Sequence, residues 1–420
     1  MTAVDLNDIF ASFNTIDKDL VPYSESDVGL VKDWGVTLIP SVDKVMINGI
    51  SISDRVTEIY GQSSTGKSTF VANLISKLQK QGAIVIYFDT ELTLNRERLV
   101  ELGVDPSKIV SVKPQVNRNG VVQQMTVESI CTQILDLTTK LHKAYPDNNI
   151  VCVWDTIANT MADSEANKDL AEKTVGQQAH ALSIGMRKIV PFLSSNNASL
   201  IALNQARDKF GETNPYLAKE STTVGGKAME HADSLKLYMV KGAKIRENPS
   251  DTKSAQIGHI VRLKFMKSKL GDNTGAVAEL ALLDDTGYDL IYNTLLDAQN
   301  LGWVTRGKYI SDNGEEIGKR SFNGFLDYLR SDEGQDIFIE IWQKLLLHYF
   351  PDCYPALFNT HAVLKEEDFP MITGLREYYI KQQESLPEEK RNGTYNLWKE
   401  NKDNQDYAKK VLKAAKKAGE

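Results

Sequence analysis

Nine residues near the start of the chain, "GQSSTGKST" at positions 61 to 69, combine the residue types that hold phosphate. Gly61 and Gly66 bracket Gln62, Ser63, Ser64 and Thr65, and Lys67, Ser68 and Thr69 follow, which fits G-x-x-x-x-G-K-[ST]. Glycines at these points let successive backbone N–H groups converge on phosphate oxygens at a helix N-terminus. Lys67 adds a compact positive charge, and Ser68 offers a hydroxyl to Mg²⁺. The flanks suit such a loop, because "RVTEIY" before it is strand-like and "TFVANLISKLQKQG" overlapping its end is helical. The stretch therefore implies a nucleoside triphosphate site that works with magnesium.

Such a site also needs carboxylates at strand ends. "IVCVWDT" supplies Asp155, which can hold the metal through its waters. Taken alone, an aspartate in that place is more often a turn former or helix cap. "AIVIYFDTE" ends in Asp89 and Glu91, which point to the same side if the strand persists. They form either a solvated turn or, in the case of Glu91, a group that orients the water attacking a γ-phosphate. A further apolar run, "SLIAL", leads into Asn204 and Gln205, and some twenty polar residues then pass before the next apolar pattern near Ala228. Structureless loops of that length are usually functional or disordered.

The elements that position these residues can be read from apolar patterning. From about 36 to 285, continuous apolar runs alternate with helical patterns, as in a parallel sheet covered on both faces. The fold expected is α/β with ligands at the carboxyl ends of the strands. Residues 286–350, with the hairpin-like "YISDNGEEIGK", predict a small α+β lobe. Residues 351–420 are charged and punctuated by proline, and read as a helical extension ending in a basic helix. Residues 1–35 read as a short arm with one amphipathic patch, "LNDIFASF".

Composition narrows the partners. The 420 residues are 41% hydrophobic and carry a formal net charge of −7, so any polyanionic partner must be held by a local patch. Residues 207 to 269 reverse that balance, with more Lys and Arg than Asp and Glu. Within them, "RLKFMKSKLG" spaces Lys267 and Lys269 on one face of a strand, either guarding an exposed edge or presenting cations together. Cys131, Cys152 and Cys353 are odd in number and lack metal-ligand spacing with the six histidines, so reduced thiols are expected. The beginning shows neither a signal-peptide pattern nor a span-length apolar run, and the expectation is a cytoplasmic protein without a membrane partner.

In this order the motifs resemble the RecA recombinases of bacteria and their phage UvsX-type relatives, from about residue 36 to 350. "EIYGQSSTGKSTF" is similar to the family's Walker A passage, "FDTELTLNRERLVELGVDPSKI" to the segment bearing its catalytic glutamate, here Glu91, and "VCVWDT" to Walker B. The resemblance implies a RecA-like P-loop core, ATP and Mg²⁺ as cofactors, and Lys67 and Glu91 as catalytic groups. It further implies Mg²⁺ on Ser68 and Asp155, and Gln205 as the γ-phosphate sensor at the root of a DNA-binding loop. Lys267 and Lys269 would reach the γ-phosphate of a neighbouring subunit. DNA contacts would come from His180 and Arg187 by the first loop, and from Arg207, Lys209, Phe210, Gly225, Gly226 and Lys227 in the second. Arg98 stands where the family commonly stacks a tyrosine on adenine, and His180 where bacterial members tend to carry arginine. The implied protein is a DNA-dependent ATPase that forms helical filaments on single-stranded DNA and exchanges strands with homologous duplex. If phage-encoded, it would work in the bacterial host cytoplasm, with single-strand-binding and loader proteins as further partners. A hexameric replicative helicase on the same core, or a regulatory ATPase with a protein partner, are the competing readings.

Overall fold

The structure is a computed structural model, described here for residues 29–92, 95–112, 124–166, 176–207, 222–248, 251, 253–273, 275–318 and 321–418. Its centre is a nine-stranded sheet. In chain order the strands are β1 (Val56–Gly61), β2 (Ile84–Asp89), β3 (Ile109–Ser111), β4 (Ile150–Asp155), β5 (Ala198–Arg207), β6 (Thr222–Thr223), β7 (Leu235–Arg246), β8 (Gln256–Ser268) and β9 (Val277–Leu283). They lie in the order β9-β8-β7-β1-β5-β4-β2-β3, with β6 paired to β5. From β7 across to β3 neighbouring strands run parallel, whereas β8 and β9 return antiparallel. This is the expected α/β architecture.

The central strands β1, β2 and β4 are buried on both faces, and alternation sends their successive side chains to two cores. Val85 and Tyr87 of β2 join Ile59, Val153 and Leu203 under helix α1 (Lys67–Lys80), which contributes Phe70, Val71, Leu74, Ile75 and Leu78. Ile86 and Phe88 face the other way with Cys152, Trp154, Leu200 and Ala202. That second face is covered by α2 (Val127–Ala144), α3 (Gln177–Ser194) and α4 (Gly226–Ala232), through Ile130, Ile134, Leu182, Met186, Ile189 and Met229. Phe70 is fully buried, and truncating it to alanine would cost about 3–5 kcal/mol. Helix α2 starts in a capping box, with the Ser129 amide donating to Thr126 Oγ1 and the Thr126 amide to Ser129 Oγ.

Beyond the sheet lie α5 (Leu290–Asn300), a three-stranded sheet of residues 304–318, α6 (Phe322–Arg330), α7 (Gln335–Tyr349), α8 (Leu375–Ser385) and α9 (Gly393–Ala418). The stretch after Pro351 carries more than charge. Tyr354, Phe358, Leu364, Tyr379 and Tyr395 are fully buried in one cluster with Trp342 of α7 and with Trp34 and Val36 from the N-terminal side. Polar clasps fix this union. Asn359 accepts from the Trp34 amide at 2.8 Å and donates to its carbonyl at 2.9 Å, and the Trp342 indole donates to Leu38 O at 2.7 Å. Asp33 accepts from the amides of Thr360 and His361 at 2.6 and 2.9 Å, from His361 Nδ1 at 2.8 Å and from Asn149 Nδ2 at 3.0 Å. Burial alone would raise the Asp33 carboxyl, but the His361 contacts outweigh it and hold the group below its usual range.

Candidate nucleotide site and its neighbouring loops

Four strands end around one pocket. β1 runs into the loop of residues 61 to 66 and then into α1, whose N-cap, Gly66, has φ +90° and no capping side chain. A Cβ at Gly66 would lie 2.4 Å from Leu282 Cδ1, so glycine is required by conformation and by contact with β9. The first-turn amides of α1 are thereby left for an anion. Lys67 Nζ donates to the carbonyls of Gly61 and Gln62 at 3.1 and 2.9 Å, folding over the loop, while Thr65 Oγ1 donates to Gln62 O at 3.0 Å. Burial lowers the Lys67 ammonium from its usual value, and the carboxylates of Asp155 and Glu91 oppose that shift.

The pocket above the loop has a volume of about 220 Å³ and is lined by Ser63, Ser64, Gly66, Lys67, Ser68, Thr69, Glu91, Thr156 and Gln205. Asp155 lies beneath it, almost fully buried at the end of β4, with Oδ2 accepting from the Tyr87 hydroxyl at 2.8 Å. Its Oδ1 is buried without a hydrogen-bond partner among the described residues. Burial raises the Asp155 carboxyl, and the nearby Ser68 and Tyr87 hydroxyls oppose that rise. A buried carboxylate oxygen lacking a partner beside a serine hydroxyl fits a hard divalent cation with oxygen ligands.

Glu91 arrives by a different route from the one expected. β2 stops at Asp89, and a turn in which Leu92 has φ +55° takes over, so strand alternation does not aim the glutamate. It is instead held by its contacts. Thr156 Oγ1 donates to Glu91 Oε1 at 3.2 Å, and Gln205 Nε2 approaches the same oxygen at 3.5 Å. Tyr87, Thr90 and Thr156 went unread in the sequence, since they act across strands that only the fold makes neighbours.

Gln205 stands near the end of β5, where the long polar stretch begins. The preceding residue ties the root of that stretch together: Asn204 Nδ2 donates to Glu58 Oε1 at 2.7 Å and to Val224 O at 2.8 Å. Glu58 Oε2 in turn lies 2.6 Å from Lys236 Nζ, which also donates to Thr223 Oγ1 at 3.1 Å. Asp233 is fully buried beside them, and its carboxyl is pushed well up by burial and by the Glu58 charge. Arg207 closes β5, paired with Thr222 of β6, and Lys209 and Phe210 lie outside the described residues.

The remaining candidates are dispersed. Gly225 caps α4 at φ +90°, Gly226 begins that helix, and Lys227 is exposed in its first turn. His180 and Arg187 are exposed on α3, where Arg187 Nε donates to Ser183 O. Arg98 does not line the phosphate pocket. Its Nη1 donates to Asp285 O at 2.6 Å and to Glu101 at 2.9 Å. Lys269 Nζ donates to His231 O at 2.5 Å and Lys267 Nζ to Glu230 O, so both ammonium groups cap the carboxyl end of α4. No helix among the described residues is long and apolar enough to cross a membrane.

Comparison with known proteins agrees with this geometry. The family model described as the RecA N-terminal domain matches residues 40–288. Protein RecA of Lactococcus lactis subsp. cremoris strain MG1363 is 28% identical over 335 residues, covering 79% of this chain and 80% of the relative. Protein RecA of Streptococcus pyogenes serotype M5 is 27% identical over 296 residues, covering 70% and 72%. With the family model spanning more than half of a chain whose phosphate loop ends the central strand of a mostly parallel sheet, the chain belongs to the RecA family of recombination ATPases.

Proposed function

We propose that this protein is a DNA-dependent ATPase that polymerises on single-stranded DNA as a helical filament and exchanges strands with a homologous duplex in the cytoplasm. The observation that carries the reading is the meeting of Glu91 and Gln205 on the loop of Lys67, with Gln205 at the root of the polar stretch that follows β5. One pocket thereby adjoins the group that would activate water and the group that would report on phosphate.

The loop amides and Lys67 bind the triphosphate and balance its charge. Ser68 and Asp155 would hold Mg²⁺, which supplies charge neutralisation at the β- and γ-phosphates. Glu91 accepts a proton of the attacking water; the water oxygen bonds to the γ-phosphorus, the bond to the β–γ bridging oxygen breaks, and ADP leaves with that electron pair. Gln205 can donate to a γ-phosphate oxygen with its amide N–H, and Asn204 ties β5 to Val224, which follows the long polar stretch. Arg207, Lys209 and Lys227 would fix DNA through phosphates, which position without reading sequence. Lys267 and Lys269 would exchange the α4 carbonyls for the nucleotide of an adjoining subunit.

The test is phosphate release and strand exchange measured with purified full-length protein. Single-stranded DNA should raise hydrolysis well above the DNA-free rate, and joint molecules should form only with homologous duplex. Hydrolysis indifferent to DNA, or unwinding without pairing, would contradict the proposal.

A further inference from the structure

The carboxylate beside the phosphate loop sits on an open turn, and a carboxylate on a turn does not aim itself. Leu92, next to Glu91, is 74% exposed, and β2 has already ended. Thr156 is the opposite case. It is 3% exposed, and its backbone is held from several sides. The Thr156 amide donates to Thr90 Oγ1 at 2.9 Å, and that hydroxyl lies within donating distance of the carbonyls of Asp155 and Thr156, at 3.1 and 3.0 Å. The Thr156 carbonyl also accepts from Thr160 Oγ1 at 2.9 Å, and the Thr160 hydroxyl accepts from the fully buried indole of Trp154 at 2.9 Å. Gln178 of α3 then ties the following turn to the second core, donating to Ile157 O and Thr160 O at 2.9 and 2.6 Å.

From this framework we infer that Thr156 is the positioning residue for the water-activating carboxylate, its hydroxyl fixing Glu91 Oε1 so that Oε2 is presented to water. The inference rests on the reading of Glu91 as the group that takes the water proton. The geometry favours Thr156 over Gln205 as the anchor. The Thr156 contact is 3.2 Å from a buried, clamped residue, whereas the Gln205 contact is at the 3.5 Å limit of a hydrogen bond. A fixed donor also removes a rotational cost: an unanchored glutamate must be ordered at each turnover, and ordering a reacting group is a large part of what an active site does. Thr90 and Thr160 act one step further back, by holding the main chain from which the Thr156 hydroxyl projects.

The experiment is steady-state ATP hydrolysis by the full chain, saturated with single-stranded DNA, for Thr156→Val, Thr156→Ala, Thr156→Ser, Glu91→Gln and the double variant Glu91→Gln with Thr156→Val. Valine keeps the volume and removes the donor, alanine removes both without a risk of clash, and serine restores the donor. A hydrogen bond to a charged group is worth about 1.5–3 kcal/mol, so kcat should fall roughly 10- to 100-fold in the valine and alanine variants while KM for ATP stays within about twofold. Serine should return kcat to within about threefold of the parent, and in the Glu91→Gln background the valine change should have no further effect. Unchanged kcat in both donor-less variants, a failure of serine to rescue, or equal losses with and without Glu91 would overturn the inference. If Glu91→Gln itself leaves turnover intact, the reading of Glu91 falls first and the positioning role falls with it. A lowered Glu91→Gln rate beside a normal Thr156→Val rate removes the positioning role alone.

Discussion

Replacing Lys236 by methionine tests the polar network at the root of the long polar stretch after β5. Lys236 Nζ is 2.6 Å from Glu58 Oε2 and 4.0 Å from Asp233 Oδ2, both carboxylates are at 0% exposure, and Lys236 itself is at 15%. It also lies 5.0 Å from the centre of the Tyr60 ring, which stacks on Tyr238 at 4.8 Å. Methionine retains an unbranched stem of similar reach but leaves the Glu58 charge buried without its cation. Removing one partner of a buried pair typically costs about 3–5 kcal/mol, and the partial exposure of Lys236 favours the lower end, about 3 kcal/mol. The pH dependence has a definite sign. Asp233 already has its carboxyl well above the usual range, and losing the Lys236 charge, which opposes that rise, pushes it further up. The folded variant then binds protons that the unfolded chain releases near pH 4, so its unfolding free energy declines as pH rises. Relative to the parent, the penalty should be largest at pH 8 and shrink towards pH 5. Urea unfolding followed by tryptophan fluorescence at both pH values measures it, and adding Glu58→Gln should recover much of the loss. A variant as stable as its parent at pH 8, or a penalty that grows on acidification, would refute the reasoning.

Three further outcomes follow from other contacts. Lys267→Ala with Lys269→Ala should spare ATP binding by the isolated subunit but abolish DNA-stimulated hydrolysis and filament growth together; mixing with a Lys67→Ala subunit should restore part of the activity, and no recovery at any ratio in confirmed mixed assemblies counts against a shared site. Gln205→Ala should uncouple the two ligands, so that a non-hydrolysable ATP analogue no longer tightens labelled single-stranded DNA and the reciprocal effect vanishes by the same factor; a full nucleotide effect in the variant would remove the sensor role. Asp33→Asn should destabilise the fold by about 1.5–3 kcal/mol at neutral pH, the range for hydrogen bonds to a charged group, as read by denaturant midpoints. Because the folded Asp33 carboxyl lies below its usual range, its contribution is present above about pH 4 and fades as pH falls through the folded value, so the two proteins should converge in strong acid.

Local chemistry was the most legible part of the sequence. The phosphate loop is contiguous, and its glycines, lysine and serine carry their meaning in one-dimensional spacing. Apolar runs without alternation likewise announced a parallel sheet covered on both faces. Contacts between strands were not legible, because spatial neighbours such as Tyr87 and Asp155, or Asn204 and Glu58, are set by the crossover order of the sheet. Lys267 and Lys269 were read as sharing a strand face, but the strand ends at Ser268 and its register shifts between Phe265 and Lys267. Their ammonium groups come together because they seek carbonyls one residue apart at the end of α4. In the stretch after Pro351, charge masked the core. Its buried aromatics Tyr354, Phe358 and Phe369 fall in turns and short 3₁₀ pieces, where no 3.6-residue stripe exists to reveal them.

Electron micrographs of the protein with single-stranded DNA and a non-hydrolysable ATP analogue test the central claim most directly. A recombinase of this kind should form regular helical filaments that follow the DNA and are absent when either nucleotide or DNA is withheld. Discrete rings, or bound subunits that never polymerise, would contradict it.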